Sequence, residues 1–214
     1  MPARKEFSGN ASDMSKIITV AFLSIFNFAG AQTCYHSNLS SDFDFKTTLE
    51  RLPSTDSDTC IVTVDIISKK SRNLLQTIRI GSGWLFEPAF NDCSLVRSHS
   101  THVNEHLLDQ DNDFGDLIIA DYNFDGKEDL SIKNDSGGNG GPTYSYFIQT
   151  ASGSFILDNF LTESMEFFPH IINKSQRTLT TLVHANAYQL SKMIYKLHPG
   201  KNTWKRISHT FVDH

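Results

Sequence analysis

Nine residues in mid-chain, Asp121-Tyr122-Asn123-Phe124-Asp125-Gly126-Lys127-Glu128-Asp129, constrain this protein more than any other stretch. They put oxygen side chains at the first, third, fifth and ninth places of a short loop, with a glycine at the sixth. A hard divalent cation needs several oxygens converging at about 2.3–2.6 Å. Loops of this kind supply them from alternate residues, and the glycine takes the sharp bend. The pattern predicts a Ca2+ site to which Asp121, Asn123, Asp125 and Asp129 give side-chain oxygens and Lys127 its backbone carbonyl. The alternative is an acidic turn that is merely solvated.

The loop does not belong to a helix–loop–helix hand. That arrangement needs a bidentate Glu at the twelfth place, where this chain has Ile132. The flanks Leu117-Ile118-Ile119-Ala120 and Leu130-Ser131-Ile132 are short, apolar and rich in β-branched residues, so they read as strands. A cation here would staple a strand-to-strand connection. Its shell would be completed by water or by another segment, with Asp113 and Asp116 the nearest candidates; a charged strand entrance is their other reading.

The N-terminus reads as an address. Lys16 precedes the apolar run Ile17–Phe28, and Ala29-Gly30-Ala31 supplies a small-x-small cleavage site before Gln32. The run is too short to span a bilayer comfortably. Residues 1–31 are therefore expected to be an N-terminal extension and secretory signal cut after Ala31, with Met14 a second candidate start. Residues 32–214 would form one domain of a periplasmic or secreted protein. Cys34 lies near that cut, but Ala31-Gln32-Thr33 is a poor lipoprotein box, so no stable membrane anchor is expected. Three cysteines in an oxidising compartment suggest one bridge; Cys60–Cys93 and Cys34–Cys93 both remain open.

Charged residues make up 20% of the chain and hydrophobic ones 39%, a globular balance that excludes wholesale disorder. The net charge of −5 gives no basic footprint for nucleic acid. Residues 32–59, rich in Ser, Thr and Asp, read as an irregular leading segment. Ile61–Ile67 and Leu74–Ile80 form a hairpin. Residues 90–116 read as loop, and within them His102-Val103-Asn104-Glu105-His106 has the H-x-x-E-H form of a zinc peptidase. There two His would bind the metal and the Glu would act as base. The string has no evident third ligand, so a polar His-rich loop is the stronger reading and no enzyme is expected. Downstream, Thr143–Thr150, Phe155–Leu157, Phe167–Ile172, Thr178–Ala185, Tyr188–Leu197 and Trp204–Phe211 keep a strand rhythm. Strands at this spacing with turn signals between them mean an all-β sandwich, barrel or propeller. Asn38, Asn134 and Asn173 lie in glycosylation sequons, which matter only in a glycosylating host.

Three pieces in order — the 121–129 loop, the Gly140-Gly141-Pro142-Thr143-Tyr144 turn into an aromatic strand, and Gly153-Ser154-Phe155 — resemble bacterial periplasmic calcium-binding, propeller-like immunity proteins that inhibit type IV secreted lysozyme-like effectors. The likeness is strongest over about residues 115–160. It implies a single β-propeller-like domain of short antiparallel strands with a calcium-binding inter-strand loop. It also implies Ca2+ as cofactor and a lysozyme-like peptidoglycan hydrolase as partner, inhibited by occlusion of its cleft. The inhibitory surface is not fixed by motif. Gly138, Asn139 and Gly140, with Tyr144 and Tyr146 beside them, are the candidates, because an aromatic anchor beside a glycine-rich loop suits insertion into a cleft. A calcium-stabilised envelope binding module without an inhibitory role is the other reading.

Overall fold

Alternation in the first half and near-continuous apolar runs in the middle give this chain two kinds of strand. The computed structural model describes residues 31–52, 59–83, 92–100 and 112–213. Residues 1–30 of the expected signal (1–31) and the His102-Glu105-His106 string lie outside the described residues. Among the described residues there are thirteen strands in three sheets.

The first sheet runs in chain order through β1 (Ala31–His36), β2 (Phe43–Arg51), β3 (Cys60–Ser68) and β4 (Leu74–Ser82), all antiparallel. In β2, Phe43, Phe45, Thr47 and Leu49 are buried while Asp44, Lys46 and Thr48 lie between them on the wetter face. That period of two is what a sheet with one covered face requires. The segment expected to be irregular is thus two paired strands. The anticipated hairpin is β3 and β4, with a bulge at Ile66/Ile67.

The second sheet is β5 (Ser98–Ser100), β6 (Leu117–Ala120), β7 (Asp129–Asp135), β8 (Thr143–Gln149) and β9 (Phe155–Leu157). Only β5 runs parallel to its neighbour. The third is β10 (Ile171–Asn173), β11 (Thr178–His184), β12 (Gln189–His198) and β13 (Thr203–Asp213). A single π-helical turn, Leu161–Met165, joins the second to the third and buries both of its end residues.

Two cores meet at the second sheet. Leu117, Ile119, Leu130, Ile132 and Phe147 pack with the first sheet's Phe45, Leu49, Val62, Val64 and Ile66. From the opposite face, Ile118, Ala120, Tyr144 and Tyr146 pack with Leu179, Tyr195 and Leu197 of the third sheet. The middle layer is therefore covered on both sides, which explains why Leu117–Ala120 is apolar without alternation and wholly buried. At about 25 cal/mol per Å2 of apolar surface, such a doubly covered strand is a main source of stability.

This architecture corrects the propeller expectation. A propeller sets repeated blades around a central channel, whereas these three sheets stay open and share cores as layers. Short strands with regular turns are common to both designs, so the rhythm alone could not separate them.

The bridge is Cys34–Cys93, with Cα atoms 5.3 Å apart and a sequence separation of 59. It pins β1 to the short 3-10 turn Cys93–Leu95. Cys60 is buried in β3, and burial raises its thiol pKa.

Candidate functional site

The oxygen-rich loop connects β6 to β7, two antiparallel neighbours, so the flanking strands are as expected. Its side chains are turned onto its own backbone. Asp121 accepts hydrogen bonds from the N–H groups of Asp125 and Gly126, each at 3.0 Å. Asn123 Oδ1 accepts from Asp125 N–H at 3.0 Å, and Asp125 Oδ1 from Lys127 N–H at 2.9 Å. Short Asp and Asn side chains close such local turns because they reach the amide two residues on. Gly126 has φ +84°, as the sixth place demands, and Phe124 also takes a positive φ of 61° while its ring is buried.

Asp129 behaves differently. It is 0% exposed, and its two oxygens accept from Tyr122 N–H (2.8 Å), Asn123 N–H (3.2 Å) and Gln149 N–H (2.9 Å). Among the described residues no Lys or Arg pairs with it. Burial pushes its carboxyl up to about 7; the three N–H groups pull the other way, and Asp125 adds a further upward push. Two other acids of the loop do have cations near: Lys174 Nζ lies 3.3 Å from Asp121 and Lys127 Nζ 3.6 Å from Asp125. Arg177 donates to the carbonyls of Asn123 and Phe124 and lies over the Phe124 ring. Glu128 accepts a hydrogen bond from Ser40, which ties the loop to the β1–β2 connection.

Among the described residues no three His, Cys, Asp or Glu side chains stand together so as to hold a metal ion. The loop's donor set is mixed, since Asn123 offers an amide oxygen and Lys127 only its carbonyl. That set, neutral and anionic oxygens without nitrogen or sulfur, is the chemistry of a hard cation.

Asp113 and Asp116 are not spare ligands. Lys133 Nζ sits 2.6 Å from Asp113 and 2.7 Å from Asp116, and Arg97 reaches both at 2.6 and 3.5 Å. Asp116 also accepts from Arg97 N–H at 2.9 Å. Gly115, at φ +134°, makes this approach, since a Cβ there would stand 2.7 Å from the Arg97 carbonyl. Two cations on two acids neutralise the group and leave no charge for a shared ion. Lys133 is the residue that sequence reading missed. It occupies a buried place in the apolar strand β7, and a lysine inside such a run signals a carboxylate partner.

The proposed partner surface divides. Gly138 and Asn139 line an open cleft of about 440 Å3 with His184, Ala185, Asn186 and Ala187. Gly140 is packed under the Phe167 ring, and its carbonyl accepts from Asn112 at 3.0 Å. Tyr144 and Tyr146 are 0% exposed, donating to the carbonyls of Gly115 and Phe167. They are core residues and cannot serve as surface anchors, because their alternate places on β8 face the second core.

No family model matches this chain, and no curated protein does. The likeness to the propeller-like immunity proteins thus rests on short motifs alone, and the open, layered sheets overturn it. The inhibitor role came only with that kinship and is not carried forward.

Proposed function

We propose that this protein is an exported, non-catalytic binding module that takes a hard divalent cation, Ca2+ first, at the 121–129 loop. The observation that carries this reading is Asp129, a fully buried carboxylate with no cationic side chain against it among the described residues, at the ninth place of an oxygen-rich turn. A bound dication would supply the missing positive charge and hold Asp129 ionised. Asp121, Asn123, Asp125 and the Lys127 carbonyl would complete the protein's share of the oxygens. The Cys34–Cys93 bridge supports export, since disulfides persist in oxidising compartments. The cleft beside Gly138 and Asn139 has the size of a small-ligand recess and is the candidate binding face.

Thermal melts in excess Ca2+, excess Mg2+ and chelator test the reading. An ion at 100 times its Kd that binds only the folded state adds about 2.7 kcal/mol. Ca2+ should therefore raise the melting temperature by several degrees over chelator, with Asp125→Ala abolishing the rise. Superimposable melts in all three solutions would reject the cation.

A further inference from the structure

The third sheet is charged against the trend of the chain. The protein has 24 acidic and 19 basic residues, yet seven of the basic ones and only one acid, Asp213, fall between residues 171 and 213. Two of the seven, Lys174 and Arg177, are engaged by the 121–129 loop. The other five, Lys192, Lys196, Lys201, Lys205 and Arg206, make no ion pair among the described residues.

Register sorts them. On β12, Met193, Tyr195 and Leu197 point into the second core, so Lys192, Ile194 and Lys196 share the opposite, outer face. Lys196 is the direct cross-strand partner of Lys205, and Ile194 that of Ser208. Like charges placed opposite each other destabilise a sheet. Edge protection accounts for lysines on β13 but not for Lys192 and Lys196, which lie on an interior strand. Beside the lysines a cross-strand row links Ile194 to Thr180, which is buried, and Thr180 to Ile171 of β10, which is 50% exposed.

We infer that this outer face docks peripherally on an anionic lipid surface, its lysines meeting the headgroups and Ile171 entering the interfacial zone. A sheet face with cations beside an exposed aliphatic side chain matches that partner in both charge and polarity. A soluble polyanion would use the lysines alone and leave Ile171 without a role.

Co-sedimentation of the full chain with vesicles of phosphatidylcholine alone, or of phosphatidylcholine with about one quarter phosphatidylglycerol, tests this at low and high salt. The anionic vesicles should bind at least tenfold more tightly than the neutral ones, with affinity falling as salt rises. K192E/K196E/K205E should lose that preference while its far-UV circular dichroism and melting temperature stay near the parent's. I171S should keep the salt dependence and weaken binding severalfold. Chelator should leave the lysine-dependent binding in place, which separates this surface from the cation loop. Equal binding to neutral vesicles, no binding to either, binding that chelator abolishes, or equally tight binding to soluble polyphosphate that the isoleucine variant leaves unchanged would each overturn the inference.

Discussion

Lys133 and Asp116 meet at 2.7 Å with only 3% and 6% of their side chains exposed. The pair sits on the face of β7 that looks toward the third sheet, at the entrance to β6, and Asp113 and Arg97 complete it. Removing one member of a buried pair strands the other in a poor medium, at a cost of about 3–5 kcal/mol. Lys133→Met should therefore lower the unfolding free energy by an amount in that range, seen as a lower urea midpoint with little change in slope. The double variant Lys133→Met/Asp116→Asn should recover part of the loss, because the second substitution removes one stranded charge. Recovery is read from the same urea curves.

The same cluster sets an acid limit. Burial pushes Asp113 up, but the charge and hydrogen bond of Lys133, with Arg97, outweigh it and leave the carboxyl below its ordinary 3.8. A folded value below the unfolded one contributes stability that is present above about pH 4 and drains away as pH falls through the folded value. Urea unfolding at decreasing pH should show this loss below about pH 4 and a smaller one in Asp113→Asn. Asp129 acts with the opposite sign in chelator. Its folded value of about 7 lies above 3.8, so the folded state gains a proton first and stability rises as pH falls from about 7 to about 4.

Asp125 and Asp129 should part company when each is replaced by Ala. Asp125 is on the exposed side of its loop, and its loss removes one local turn bond to Lys127 N–H. In chelator Asp125→Ala should melt close to the parent, within about 1 kcal/mol. Asp129→Ala leaves three N–H groups, those of Tyr122, Asn123 and Gln149, without their acceptor in the interior. At roughly 1–3 kcal/mol for each orphaned group, it should be strongly destabilised with or without Ca2+. Paired calorimetric scans of the two variants decide this.

The Cys34–Cys93 bridge closes 59 residues of sequence separation. Loop-closure entropy for such a span gives about 4 kcal/mol of stabilisation. Reduction, or Cys34→Ser with Cys93→Ser, should lower the unfolding free energy by about that much, measured by denaturant titration with and without reductant.

Much of the strand pattern was legible because it is local. Leu117–Ala120 and the Thr178, Gln189 and Thr203 strands lie where apolar runs and turn residues put them. The β1–β2 pair was obscured by Ser and Asp, although the alternation of Phe43, Phe45, Thr47 and Leu49 was there to be read. How three sheets stack was not legible, since it depends on which face of β8 meets which neighbour. The roles of Asp113 and Asp116 were hidden for the same reason: their partner Lys133 is adjacent in the sheet but seventeen to twenty residues away in sequence.

Tyr144 and Tyr146 give the sharpest contrast between surface and core roles. Both phenols are buried, and burial raises their pKa values well above the ordinary, so they remain neutral donors across the physiological range. Tyr144 donates to Gly115 O at 3.0 Å, just before the ion-pair cluster, and Tyr146 to Phe167 O at 2.8 Å, beyond the π-helical turn. Replacing either by Phe keeps the ring in place and leaves one buried carbonyl short of a donor. Each should lower the unfolding free energy by about 1–1.5 kcal/mol. The two losses should not be strictly additive, because the rings lie 6.4 Å apart in one core cluster. A double-mutant cycle in urea measures both numbers. Surface anchors for a partner would instead leave the urea midpoint unmoved on losing a hydroxyl, so unchanged curves for both single variants would return these tyrosines to the exterior.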